Sequence, residues 1–215
     1  MTVLFLIFRI AQPLVPLISS GIVLLVVVYA ASLLVRYLGK RVEANIWGSW
    51  GGPPSTRFLR WCDSHFGEEN KRAMHEAVGN VCRIKLYSHA EEASDPREAD
   101  RRISEAFEQV KATVRRENPN GVWSKHNAEY GFHRNLLGTR VMWALLSIAN
   151  SLISGTLWYA DGSSFFLVAT TINTVIFVGA VVLGWAFLPR LTKEAADRYA
   201  DSVWNAFLVD ARTTK

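Results

Sequence analysis

The chain has 215 residues, half of them hydrophobic and a fifth charged, with a formal net charge of +5. The two populations are segregated along the sequence, which argues against an ordinary soluble domain, and the basic excess gathers beside the apolar runs, which argues against a general nucleic-acid surface. Two cysteines, Cys62 and Cys82, both in the polar part, argue against a disulfide-stapled scaffold and are expected as free thiols.

Met1–Gln12 is apolar except for Arg9 and too short to cross a bilayer. Pro13 and Pro16 follow, so a kink or an interfacial helix is expected there. Arg9 either snorkels to the outer interface or lines a water-filled path. Leu14–Val35 then runs 22 residues without a Lys, Arg, Asp or Glu. Val141–Tyr159 and Ser164–Leu188 do the same over 19 and 25 residues. At ~1.5 Å per helical residue each reaches across a ~30 Å hydrocarbon core. A helix satisfies its own backbone in lipid, so three spanning helices are expected. Arg36, Lys40 and Arg41 follow the first run, Arg134 and Arg140 precede the second, and Arg190, Lys193 and Arg198 follow the third. The link between the second and third carries only Asp161. The positive-inside bias puts the N-terminus outside and the middle region and C-terminus in the cytosol.

Residues 36–140 read as a mainly helical cytosolic domain inserted between the first and second spans. It opens on Trp47-Gly48-Ser49-Trp50-Gly51-Gly52-Pro53-Pro54, which reads as a fixed, non-helical elbow. Ser55 or Thr56 would cap a short helix through Cys62. A second helix fits Glu68–Val78, with Met74, Ala77, Val78 and Val81 apolar. Arg83–Tyr87 is ambiguous. Asp95-Pro96-Arg97-Glu98 reads as a capping box opening a helix with Ala99, Ile103, Ala106, Phe107, Val110 and Val114 on one face. Asn118-Pro119-Asn120-Gly121 ends it.

In the second span Ser147, Asn150, Ser151 and Ser154 fall nearly on one side. In the third, Ala169, Asn173, Ala180 and Gly184 do so, with Thr170 and Thr174 adjacent. Such residues either pack a hairpin closely or line a pore in an oligomer. Arg9, Asn150, Thr170 and Asn173 are the pore-lining candidates. Residues 189–215 form an amphipathic tail, with Ala195, Tyr199, Val203, Ala206 and Phe207 inward.

No catalytic constellation stands out. Arg60 with His65, and Arg83 with His89, have spacings that arise by chance. Cys62, His65, His75 and Cys82 are too irregularly spaced to read as a zinc site. No enzyme, metal or cofactor is expected. The middle region carries 18 Lys/Arg against 14 Asp/Glu, and −1 without the five membrane-flanking cations. A small anionic pocket is the remaining binding chemistry, with Trp47 and Trp50 to stack on bases and Arg57 and Arg60 to grip phosphates.

Three stretches carry a resemblance. Trp47–Leu59 (Trp-x2-Trp-Gly-Gly-x-Pro-Ser-Thr-x-x-Leu), Asp95-Pro96 with Ala99-Asp100, and Tyr130-Gly-Phe-x-Arg-Asn-Leu-x-Gly138 are similar to landmarks of bacterial membrane effectors of anti-phage defence, of the Hailong type. His133 stands where the last landmark carries Arg. The resemblance implies a homo-oligomeric channel in the bacterial inner membrane, controlled by a nucleotide or oligonucleotide from a partner nucleotidyltransferase. Combined with Arg9, it leads to the expectation of an anion-preferring pore. The alternative is a non-conducting membrane-anchored sensor or scaffold.

Overall fold

The computed structural model describes the backbone from residue 2 to 213 and the side chains from 22 to 211. The side chain of Arg9 lies outside the described residues. Among the described residues every element is helical: α1 (Thr2–Ser49), α2 (Pro54–Arg57), α3 (Glu68–Val81), α4 (His89–Ser94), α5 (Pro96–Glu117), α6 (Val122–Asp161), α7 (Ser164–Val182), a π-helical turn (Leu183–Phe187) and α8 (Leu188–Thr213).

Three helical stretches are long and apolar enough to cross a membrane: α1, α6, and α7 with its continuation into α8. The expected spans are segments of helices that run on into polar sequence. In α1, residues 22–34 are exposed on every side, as suits a helix solvated by lipid. The hairpin of α6 and α7 turns at Gly162, whose φ of +68° closes the α6 C-terminus through a bond from its N–H to the Trp158 carbonyl. Its seam is the small polar stripe. Ser147, Ser151 and Ser154 are buried. The Ser151 and Thr174 hydroxyls lie 2.7 Å apart, and Thr170 donates to Ser154 Oγ at 3.0 Å. Each hydroxyl also bonds backbone or hydroxyl oxygen within the hairpin, which lipid could not provide.

The polar part packs around α5. Asp95 accepts from the Glu98 N–H at 3.1 Å, Pro96 takes the first turn, and all six apolar residues expected on the inner face are buried. Phe58, Leu59, Met74 and Val78 close one side of this core, and Val203, Trp204 and Phe207 of α8 close the other. The tail is therefore part of the core. Trp204 is fully buried and its indole N–H donates to the Ser55 carbonyl at 2.9 Å.

Several local expectations are corrected. Trp47–Ser49 are the last residues of α1, so the elbow is shorter than its sequence suggested. α2 ends at Arg57, not Cys62, and Pro53 occupies its cap without a side-chain bond. Beyond it the chain turns, and the ammonium of Lys71, a residue 2 % exposed, collects the carbonyls of Arg60, Trp61 and Asp63. α3 extends to Val81, which is exposed. The capping box is at Ser88 and Glu91 rather than at Asp95 and Glu98. Glu98 instead pairs with Arg101 and Arg102, whose hydrogen bonds lower its pKa to about 2.

His75 sits between this turn and the core, its Nε2 3.1 Å from the Leu59 carbonyl. A contact with a carbonyl needs the nitrogen to donate, which neutral imidazole does. Burial lowers its pKa from 6.5. A group with a depressed folded pKa binds fewer protons folded than unfolded, so its contribution is lost as pH falls below about 6.5. The melting temperature should therefore drop more steeply between pH 7 and 5 for the wild type than for His75→Gln. Parallel melting curves for the two proteins would show that His75 titrates normally.

Candidate functional site

α1 and α6 run antiparallel where they leave the apolar region, and one side of each is built for the other. On α1 the facing residues are Gly39, Glu43 and Trp47. On α6 they are Gly138, Arg134 and Tyr130. Both sets recur every four residues, the spacing of one helical face. At the first level the backbones nearly touch: a Cβ on Gly138 would lie 2.6 Å from Gly39 N and from Leu38 C and O. At the second, Glu43 Oε1 accepts from Tyr130 Oη at 2.6 Å and from Arg134 Nη1 at 3.1 Å. The two charged side chains are each about 15 % exposed. At the third, the Trp47 indole N–H lies against the Tyr130 hydroxyl without the alignment of a full hydrogen bond.

A cavity of about 590 Å³ opens beside this clasp, between α1, α2, α5, α6 and α8. Its aromatic walls come from Trp47, Phe107, Tyr130 and Tyr199. Its charges are Lys40, Lys111 and Arg134 against Glu43 and Glu108. Arg134 is held by Glu43, and Lys111 by Glu108 at 2.7 Å, with its ammonium 5.4 Å from the Phe107 ring centre. Lys40 is exposed and makes no ion pair among the described residues. Rings that can stack, with Lys40 as an exposed cation among them, suit a flat, anionic ligand.

Of the four ligand candidates read from the sequence, Trp47 lines this cavity. Trp50 packs on Tyr130, Ala195 and Ala196 instead. Arg57 spans Asp63 and Asp197, both at 3.2 Å, and donates to the Trp50 carbonyl. Arg60 makes a two-pronged pair with Asp100 at 2.6 and 2.7 Å and donates to the Gly51 carbonyl. Its hydrogen bonds to Asp100 hold it charged. These arginines fasten the elbow, and their carboxylate partners occupy the positions a phosphate would take. Gly52 completes that fastening: its φ is +116°, and a Cβ there would lie 2.9 Å from Arg60 Nη2. The cavity residues missed by sequence reasoning are Lys40, Lys111, Tyr130, Arg134 and Tyr199. The fourfold spacing of Tyr130, Arg134 and Gly138 was the available signal.

The pore candidates are dispersed. Thr170 lies in the hairpin seam. Asn150 is exposed and Asn173 half-buried, and each amide donates to its own helix, at the carbonyls of Leu146 and Ala169, both at 2.9 Å. No family model, curated protein or solved structure matches this chain.

Proposed function

We propose that the chain is a membrane effector whose cavity receives a nucleotide or oligonucleotide and passes the binding energy to its membrane helices. The observation that carries this reading is the shared wall: α1 and α6, two of the helices able to cross the bilayer, supply Trp47, Tyr130 and Arg134 to the cavity. A ligand stacked there would bear on the clasp directly, so its differential affinity for two clasp arrangements is the means of control. Three spans enclose little space alone, so the proposed working form is a closed homo-oligomer with an anion-preferring pore in the bacterial inner membrane. The resemblance of the three landmarks supports a role in anti-phage defence. Chloride flux from vesicles holding the purified chain tests conduction. Ligand-dependent flux that Trp47→Ala or Lys111→Glu abolishes is expected. Flux indifferent to both substitutions would remove the cavity from gating.

The non-conducting sensor is the second reading. It is favoured by the hydroxyls of Ser147, Ser151, Ser154, Thr170 and Thr174, which are all satisfied inside the hairpin. Vesicles that stay tight at every ligand concentration, with binding intact, would select it.

In the proposed topology the N-terminus is outside and the polar domain and C-terminus are cytosolic. Reporter fusions at Gly162 and at the C-terminus should give opposite signals. Matching signals would refute that arrangement.

A further inference from the structure

A second cavity lies outside the cavity already described. It is a groove of about 490 Å³ between α6 and the α7–α8 helix, open on the surface where the spans meet polar sequence. Its walls are mostly apolar, from Trp143, Ile176, Gly179, Ala180, Leu183 and Leu188, with His133 and Arg140 as the titratable side chains at its edge. From Gly184, where Arg140 sits, to Ile176 the wall extends about 12 Å, close to the ~15 Å of one leaflet. The groove exists because small residues stand where large ones would fill it. A Cβ on Gly179 would meet nothing within 4 Å.

Arg140 borders the same groove. Its stem packs on Gly184, which also lines the groove, and its Nη1 donates to the Gly184 carbonyl at 3.1 Å, inside the π-helical turn. The guanidinium lies 4.8 Å from the Trp185 ring centre. Among the described residues its contacts are this carbonyl and this ring, with no carboxylate partner. One of its five N–H donors is engaged, so the others are free for an anion. An apolar slot one leaflet long, with an unneutralised cation at the depth of the interfacial tryptophans, matches one kind of occupant.

We propose that this groove binds an anionic phospholipid, with an acyl chain between α6 and α7 and the phosphate on Arg140. The assignment is independent of any ligand in the larger cavity. The test is native mass spectrometry of the full chain in detergent, with added phosphatidylglycerol, phosphatidylcholine or inorganic phosphate. The wild type should retain phosphatidylglycerol about tenfold more strongly than phosphatidylcholine, because both present a phosphate to Arg140 but the choline ammonium cancels that headgroup's net charge beside the guanidinium. Gly179→Leu fills the groove without a clash and should cut retention of both lipids about tenfold at an unchanged melting temperature. Arg140→Gln should lower retention of both lipids, that of phosphatidylglycerol further, so that the preference between them disappears. Equal retention of the two lipids by the wild type would overturn the headgroup assignment. Undiminished retention by Gly179→Leu would overturn the groove as the site, whether or not Arg140→Gln folds. Inorganic phosphate bound as well as phosphatidylglycerol would mean that no chain is recognised.

Discussion

Gly138→Ala is expected to pry α1 away from α6, and Gly138→Leu to undo their crossing. The added carbon would sit 2.6 Å from backbone atoms of Leu38 and Gly39. Backbone within a helix cannot swing aside as a side-chain tip can, so the helices themselves must separate. Overpacking of this kind costs roughly 1–3 kcal/mol for one methyl, and more for a branched side chain. The loss spreads, because Glu43, Tyr130 and Arg134 bridge the same two helices one and two turns away. A carboxylate and a guanidinium, both largely out of water, would lose geometry that offsets their desolvation. Gly131→Ala is the control on the same helix. Nothing lies within 4 Å of its Cβ position, so replacing glycine there should be neutral or stabilise by about 0.5–1 kcal/mol. Thermal unfolding in detergent compares the three proteins. If Gly138→Ala melts with Gly131→Ala, the crossing is looser than described.

Lys71→Met is expected to unfold the polar domain or bring it close to unfolding. The ammonium is the shared partner of three carbonyls at the end of the elbow, those of Arg60, Trp61 and Asp63. Methionine keeps the volume and apolar stem but donates nothing. The oxygens then lose their shared donor, at a half-buried turn that rests on the buried Phe58, Leu59 and Met74. Hydrogen bonds from a charged donor contribute roughly 1.5–3 kcal/mol each, so a loss of several kcal/mol is a large part of a domain's stability. Lys71→Arg keeps the charge, but a flat fork cannot converge on three oxygens as a tetrahedral ammonium does, so partial rescue is expected. Circular dichroism melts would decide. A Lys71→Met protein as stable as wild type would mean that water serves these carbonyls.

The two results bear on how much of the molecule could be read from residues alone. The spans were legible because a run without charge has one reading at that length. The inner face of α5 was legible because six apolar residues at helical spacing leave one side to bury. At the α5 cap Asp95 and Pro96 stand as read, and only the reciprocal half was misread: Arg101 and Arg102 compete for Glu98, and the competition is visible only when all three are placed. The end of α2 was misread because what holds the following turn is a lysine from the next helix, Lys71. Arg57 and Arg60 had the chemistry of a phosphate grip, yet Asp197 and Asp100 reach them from 140 and 40 residues away. The cavity was illegible as a whole, since five helices meet there and no stretch holds more than a few of its residues.

The burial of Trp204 and Phe207 in the core imposes an order on the making of this protein. Translation is vectorial, and the half-core of Met74, Val78, Ile103 and Phe107 leaves the ribosome well before its cover does. From Val114 to Trp204 is about 90 residues, on the order of 10 s of elongation. Throughout that interval an apolar surface stands open while α6 and α7 are still being made. The domain thus cannot mature ahead of the hairpin. Its completion records that the apolar helices have already been synthesised, and a chain stalled between α7 and α8 carries an uncovered face for chaperones and proteases to find.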